Sequence, residues 1–358
     1  MDIARLDSND LAGDSLTGGY IIKVDKPTGS ASTGWTSSYQ PKVDILYHDP
    51  EDVELLPQQS NYIRTYVTNF ENAVYGANFK NPTTGFRAYV NLPSFVDFFI
   101  MQELGRTVDG YRSSSFMYKD KDSKGGKLSC GPMWDFNLSY GNCDYCSSYD
   151  TTGWQYDFAV VCPTYTTEPP NWWARMLQDT SYTHDVKCRW KQLRTTIFHT
   201  DSINAWIDSV ALYLNESQQR NFQQWPILGV YVNWNYFIGS TYQQEVNYLK
   251  QWFATRSKWM DTHLPGNCWN TGLAENSYDE KDISVFPNPS SGKFTIQSTL
   301  YKIEKAEVFD LFGRKIVSVA GHLPVMSLHL TDQPDGIYIL KIYSGESFAL
   351  RKIIKASR

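Results

Sequence analysis

From Trp269 to Asp282 the chain is polar and irregular, and the hydrophobic pattern differs on its two sides. No single architecture accommodates both patterns, and 358 residues exceed what one ordinary core organises, so two domains are expected. Upstream, apolar residues recur at helical spacing among many aromatics. Downstream, short apolar runs alternate with turn residues: Asp282-Ile-Ser-Val-Phe-Pro-Asn-Pro-Ser-Ser-Gly292, Phe294 to Gln297, Ala306 to Leu311, Phe312-Gly-Arg314, Asp335-Gly-Ile-Tyr-Ile-Leu-Lys341 and Ser347 to Lys355. Short strands at regular spacing fit a small β-sandwich. The expected division is a mixed α+β domain over 1–266, a linker over 267–282 and an all-β, immunoglobulin-like sandwich over 283–358.

In the large domain, Leu16-Thr-Gly-Gly-Tyr-Ile-Ile-Lys-Val-Asp25 reads as a glycine turn entering a strand, with Tyr20, Ile22 and Val24 alternating with Ile21, Lys23 and Asp25. A strand so near the start needs partners, and these are expected upstream of Met1. Pro27 to Tyr39, rich in Gly, Ser and Thr, reads as a loop. Ser94 after Pro93, with Asp97 three residues on, reads as a reciprocal cap. The helix it opens presents Phe95, Phe98, Phe99, Met101 and Leu104, and ends at Gly105, just before Asp109. Residues 114–119 and 127–134 read as a β-hairpin around the turn Asp120 to Gly126.

Further on, Ile203, Ile207, Val210, Ala211 and Leu214 keep a helical period, and Thr241 with Gln244 caps a helix carrying Val246, Leu249, Phe253 and Met260. Trp172, Trp173, Trp190, Trp206, Trp225, Trp252 and Trp259 read as packing residues.

Charge and cysteine usage narrow the function classes. With 33 basic and 38 acidic residues the net charge is −5, which invites neither a nucleic-acid backbone nor an anionic membrane. No apolar run is long enough for a transmembrane segment, and Met1 to Asp10 lacks the basic start and apolar centre of a secretory signal, so a leader is expected upstream of Met1. Cys130, Cys143, Cys146, Cys162, Cys188 and Cys268 are even in number, and in an exported protein they permit disulfides whose pairing the sequence does not choose. Cys143-Asp-Tyr-Cys146 lacks a second close Cys or His pair, which favours disulfides or free thiols over zinc or a redox pair.

Two aspartates carry the candidate chemistry. Asp135 stands in Gly131-Pro-Met-Trp-Asp135-Phe-Asn137-Leu-Ser-Tyr-Gly141-Asn142, between a strand-like run and a polar turn, and Asp109 lies 26 positions before it. A carboxylate placed like Asp135 suits a divalent metal and the phosphates it carries, while Asp109 can orient an attacking hydroxyl. Each can instead cap a turn. Paired carboxylates also serve glycoside hydrolysis, but no Gly-x-Ser-x-Gly elbow or His-Glu-x-x-His helix accompanies them.

Four blocks near the C-terminus carry a resemblance: Phe286-Pro-Asn-Pro-Ser-Ser-Gly292, Val308-Phe-Asp-Leu-Phe-Gly-Arg314, Pro334-Asp-Gly-Ile-Tyr338 and Lys352-Ile-Ile-Lys355. In this order they resemble the C-terminal sorting domain of the type IX (Por) secretion system of Bacteroidetes. The resemblance implies an address read by that machinery at the outer membrane and a secreted or surface-attached protein. The first 265 residues resemble the spore-coat CotH kinase family, in its long secreted form, through Leu16 to Asp25, Phe95-Val-Asp-Phe-Phe-Ile-Met-Gln-Glu-Leu104, Val108-Asp-Gly-Tyr-Arg112, Tyr118-Lys-Asp120, Gly131-Pro-Met-Trp-Asp135 and Trp173-Ala-Arg-Met-Leu177.

That family implies an atypical protein-kinase-like fold, ATP and magnesium as cofactors, and a protein serine as substrate. On the match Asp109 corresponds to the catalytic-loop carboxylate and Asp135 to the metal-binding one. Ser113, Ser114 and Ser115 stand where such sites usually place an asparagine; Ser115 is read as a cofactor contact, and Asn137 or Asn142 as the compensating amide. The family's N-terminal lobe, with its phosphate-pairing lysine, is expected upstream of the Thr-Gly-Gly-Tyr strand. Lys23 and Lys26 follow that strand and read as solvated, so this chain alone is expected to be a weak kinase or none. The alternative is a non-catalytic surface, adhesion or glycan-binding protein using exposed aromatics such as Tyr145, Tyr149 and Trp154.

Overall fold

Alternation in the first strand decides how the large unit is layered. The computed structural model describes residues 3–27, 33–165, 168–268, 283–298, 302–310, 314–344 and 347–357. Contacts divide the chain into a unit of Met1–Cys268 and one of Trp269–Arg358. The first opens with α1 (Gly13–Leu16), β1 (Tyr20–Val24), β2 (Gly34–Thr36) and β3 (Asp44–Asp49), followed by α2 (Pro57–Tyr75), α3 (Leu92–Gly105), β4 (Ser115–Lys119) and β5 (Leu128–Cys130). The strands form one antiparallel sheet in the order β2-β3-β1-β4-β5. Tyr20, Ile22 and Val24 of β1 are buried. Its partners are therefore β3 and β4, within the chain, and not strands upstream of Met1. The loop expected over Pro27 to Tyr39 contains β2, with 28–32 outside the described residues.

Helices cover the inner face of the sheet. α2 buries Ile63, Val67, Phe70 and Val74, a stripe at helical spacing that the sequence reading leaves unassigned. Pro57 sits at its start, where a missing N–H costs no helical bond. Against this stripe Phe70 meets Phe95 at 5.8 Å and Trp172 at 5.2 Å. Truncating a fully buried Phe of this kind costs about 3–5 kcal/mol.

α3 starts two residues earlier than expected, and the Ser94–Asp97 cap does not form. Ser94 Oγ donates to Asn91 O and accepts from Cys130 N, which ties the helix to β5. Asp97 instead pairs with Arg189 at 2.7 Å. Beyond the hairpin come α4 (Phe158–Val161), α5 (Trp172–Met176), α6 (Thr180–Arg194), α7 (Thr200–Tyr213), α8 (Asn215–Gln224) and α9 (Tyr242–His263). Thr241 caps α9 as read, its side chain accepting from Gln244 N. Trp172, Trp173, Trp190 and Trp252 are core residues. Trp206 and Trp225 are not: they are 68% and 59% exposed, because α7 and α8 fully bury none of their residues and only one side of the pair is covered.

The cysteines resolve into Cys146–Cys162 and Cys188–Cys268, with Cys130 and Cys143 free and buried. No helix among the described residues is long and apolar enough to cross a membrane.

The second unit is all β: β6 (Ile283–Phe286), β7 (Lys293–Ser298), β8 (Ile303–Phe309), β9 (Lys315–Leu323), β10 (Val325–His329), β11 (Gly336–Ser344) and β12 (Ser347–Lys355). They make two antiparallel sheets, β10-β7-β6 and β12-β11-β8-β9, around Phe294, Ile296, Val308, Leu328, Leu340 and Ile353. Three of the sequence blocks meet at the last strand. Asn288 Nδ2 donates to Lys352 O at 2.8 Å while its Oδ1 accepts from Ile354 N at 2.9 Å. Asp335 accepts from Lys355 Nζ and from Ser357 N, both at 2.8 Å. The linker from 269 to 282 and the motif residues 311–313 lie outside the described residues.

Candidate functional site

The end of α3 positions both aspartates. Arg106 leaves the helix in the left-handed region (φ 45°), its N–H donating to Gln102 O and Glu103 O, and the chain turns through Asp109 before entering β4. In that turn Ser113 N donates to Asp109 O at 2.9 Å. Arg112, its side chain 1% exposed, donates from Nε to Val108 O at 3.0 Å and from Nη2 to Asp109 Oδ1 at 2.7 Å. Its guanidinium lies over Phe158 at 4.6 Å and Tyr165 at 5.3 Å. Phe158 lies within the loop closed by the Cys146–Cys162 disulfide, and Tyr165 follows just after it. Asp109 is thus clamped through one oxygen, and its side chain remains 22% exposed.

Asp135 leaves the β4–β5 hairpin in the left-handed region (φ 63°) and is exposed. Its Oδ2 accepts from Ser114 Oγ at 3.3 Å. The residues after it wrap the end of α3: Tyr140 N donates to Gly105 O at 2.8 Å, and Ser139 Oγ to Thr107 Oγ1 at 3.0 Å. A Cβ at Gly105 would stand 2.9 Å from Thr107 Oγ1 and 3.2 Å from the Phe136 ring, so a side chain there would need both neighbours to shift. The two turns therefore meet at Ser113–Ser114. Every non-glycine residue with positive φ among the described residues falls between Arg106 and Ser147. Strain of this kind concentrates where a site is held in one geometry.

A buried ion pair holds this region from beneath. Glu103, fully buried, accepts from Tyr111 Oη at 2.9 Å and from Gln155 N and Tyr156 N at 2.8 Å each, with Arg256 Nη2 at 3.4 Å. Arg256 also donates to the backbone oxygens of Glu103, Thr151 and Gly153. Burial pushes the Glu103 carboxyl up, opposed by Arg256 and the two amides, and burial brings Arg256 down to about 10. Four donors around one carboxylate offset part of the cost of burying it.

Several expectations need correction. Ser115 does not reach the aspartates: its hydroxyl is buried and donates to Ser113 O at 3.0 Å, because β4 turns position 115 toward the core. Of the three serines noted there it is Ser114 whose hydroxyl reaches Asp135, and the sequence reading missed Arg112, whose spacing of three from Asp109 was the available signal. Asn137 is exposed and lines, with Phe136, Asn142, Ile227, Phe237 and Tyr248, a cavity of about 450 Å³ whose wall Asp135 does not join. Trp154, expected to be exposed, is partly buried, its ring packing against Phe99, Tyr156 and Trp259.

Among the described residues no group of three or more His, Cys, Asp or Glu can hold a metal ion. One free, exposed carboxylate beside a hydroxyl is a hard oxygen donor set. It fits a magnesium-like ion that keeps most of its water and arrives on ligand phosphates, and does not fit a protein cage for a resident metal. The family model described as CotH kinase protein matches residues 3–260, and that described as Secretion system C-terminal sorting domain matches residues 284–356. No curated protein matches the chain.

Proposed function

The chain belongs to the CotH kinase family, and from that premise we propose that its large unit serves phosphoryl transfer from ATP to a serine hydroxyl of a protein. The sorting domain implies a secreted or cell-surface protein handled by the type IX machinery. The observation that carries the reading is the pair of turns meeting at Ser113–Ser114, one with a clamped carboxylate and one with a free one.

Asp109, fixed through Oδ1 by Arg112, has its second oxygen available to accept the hydrogen of an incoming serine hydroxyl and aim its oxygen. Asp135, held in the left-handed region with Ser114 as neighbour, is the residue that would hold magnesium. Magnesium-ATP, when bound, supplies the phosphoryl group and a cation that offsets its charge. The exposed setting of Asp135 points to weak binding. Calorimetric titration with magnesium-ATP tests the reading: binding is expected in the parent chain and lost in Asp135→Ala, and equal binding by the two would overturn it.

A second reading, a non-catalytic binding surface, is favoured by one group of rings. Tyr145 meets Trp234 at 5.3 Å, Tyr149 stacks on Tyr236 at 4.0 Å, and Tyr231 donates to Asp144 at 2.6 Å, with Tyr231, Trp234 and Tyr236 about half exposed. Glycan or protein capture that survives replacing both Asp109 and Asp135 would support it.

A further inference from the structure

The loop between α8 and α9 presents two different faces. Ile227, Val232, Phe237 and Ile238 line the cavity of about 450 Å³, whereas Tyr231, Asn233, Trp234 and Tyr236 stand outside it. The loop is tied down at several points: Gly229 N donates to Gly239 O at 2.9 Å, Gly239 N to Glu245 of α9 at 2.6 Å, and Asp144 N to Trp234 O at 3.0 Å. The rings of the second face are fixed as well. Tyr236 lies flat on Tyr149, at 4.0 Å and 5°, Trp234 meets Tyr145 at 5.3 Å, and Tyr145 stacks on Tyr165 at 5.9 Å. Tyr231, Trp234 and Tyr236 nevertheless stay about half exposed. Polar groups stand among them. Tyr231 Oη donates to Asp144 Oδ2 at 2.6 Å and lies 2.9 Å from the Asn233 amide. Among the described residues, Asp144 Oδ1 and the far end of the Asn233 amide have no hydrogen-bond partner. Residues 142–149 and 225–240 contain no Lys, Arg or His, and Asp144 is their one acidic residue.

Fixed ring faces, one free carboxylate oxygen, one free amide end and no cation narrow the ligand. A carboxylate without a cation repels an anionic partner. We propose that this face binds a neutral saccharide chain. The apolar C–H faces of its sugars lie on the Trp234 and Tyr236 rings, and neighbouring hydroxyls, each able to donate and to accept, bond to Asp144 and Asn233. A protein partner fits less well, because an interface centre is apolar and depleted of charge. Here the aliphatic side of the loop lines the cavity and a carboxylate stands among the rings. Since loop and rings are held before a ligand arrives, ordering them costs little on binding. This rests on the binding-surface reading and deepens it by naming the ligand class; it is independent of phosphoryl transfer.

The test is titration of the full chain, without magnesium or ATP, with the neutral polysaccharides arabinoxylan, mixed-linkage β-glucan and galactomannan and with the polyuronate alginate, followed by calorimetry and tryptophan fluorescence. The parent is expected to bind at least one neutral polysaccharide and not alginate. Trp234→Ala is expected to weaken that binding roughly tenfold through loss of a ring face, and Trp234→Phe to recover part of the loss. Tyr231→Phe keeps its ring but loses the bond that orients Asp144, and is expected to weaken binding roughly threefold. Trp206→Ala, which removes an exposed ring on α7, is expected to bind as the parent does. Failure of the parent to bind any of the neutral polysaccharides overturns the proposal, and so does binding that Trp234→Ala and Tyr231→Phe leave unchanged. Tighter binding of alginate overturns the neutral ligand. Capture of a protein through the same rings, with no polysaccharide bound, overturns the saccharide and leaves the binding-surface reading standing. None of these outcomes bears on phosphoryl transfer, whose test is magnesium-ATP binding in the parent and in Asp135→Ala.

Discussion

Replacing Arg256 by Met tests whether the candidate site is held from beneath. Arg256 is fully buried, and its guanidinium is the charge partner of Glu103 and the donor to three backbone oxygens. Methionine fills much of the volume but leaves a buried carboxylate without its cation, a change that costs about 3–5 kcal/mol. For a unit of this size that corresponds to a fall in Tm of roughly 10 °C. The pH dependence gives the sharper test. Burial already raises the Glu103 carboxyl above its ordinary value of 4.5, and losing Arg256 raises it further. A carboxyl raised on folding binds more protons folded than unfolded, so stability falls as pH rises through that window. The deficit of Arg256→Met therefore grows as pH rises through the raised Glu103 window and shrinks on acidification toward the ordinary value of 4.5. Denaturant unfolding followed by tryptophan fluorescence, near neutrality and at about pH 5, measures both. Adding Glu103→Gln should recover part of the loss, since the stranded charge is then gone. A loss that is independent of pH, or a double variant whose deficit is the sum of the single ones, would refute the ion-pair account.

The thiols and the second unit give two further expectations. Burial pushes the Cys143 thiol up to about 11 and that of Cys130 well above its ordinary value, so iodoacetamide should label neither in the native protein and both after denaturation without reductant. Non-reducing peptide maps should recover Cys146–Cys162 and Cys188–Cys268, cross-links worth about 3 and about 4.5 kcal/mol of unfolded-chain entropy; any other linkage contradicts the packing described. In the second unit Lys305, then Tyr343 and Lys315, hold Glu307 down to about 2. A carboxyl depressed on folding stabilises above its unfolded value of 4.5 and loses that contribution as pH falls toward about 2. Acid unfolding of the second unit, followed in the full chain, should lose its steepness in that window in Glu307→Gln.

What the sequence made legible depended on whether the signal was local. The alternation in Tyr20–Val24, the Thr241 cap and the hairpin of β4 and β5 are set by residues a few positions apart, and they form, although β5 ends at Cys130 rather than at 134. The Ser94–Asp97 cap fails because both side chains find distant partners, Cys130 and Arg189, that no local pattern reveals. Trp206 and Trp225 fail for a related reason: a tryptophan buries its ring only if a second layer lies above its helix, and that layer is a property of topology. At the site, the residue types around Asp109 and Asp135 were legible, but the choice of Ser114 over Ser115 turns on which face of β4 each occupies. Lys23, read as solvated, changed meaning the same way: it is largely withdrawn opposite Phe116 and paired with Asp25.

The distribution of backbone strain links these elements. Arg106, Tyr111, Ser114, Asp135, Tyr140, Cys146 and Ser147 all adopt positive φ, a conformation that costs a non-glycine residue about 1 kcal/mol or more. Such a run relaxes unless the surroundings fix it at several points. Three constraints act within it: Glu103 holds Tyr111 by its hydroxyl, Gly105 O holds Tyr140 by its amide, and the disulfide holds Cys146. Each lies a few residues from Asp109, Asp135 or the Phe158 and Tyr165 rings over Arg112. Concentrating left-handed non-glycine residues in one segment and securing them by a side-chain hydrogen bond, a backbone bond and a cross-link is costlier than ordinary turns at glycine. The concentration places Asp109 and Asp135 in a segment whose backbone is fixed at several points.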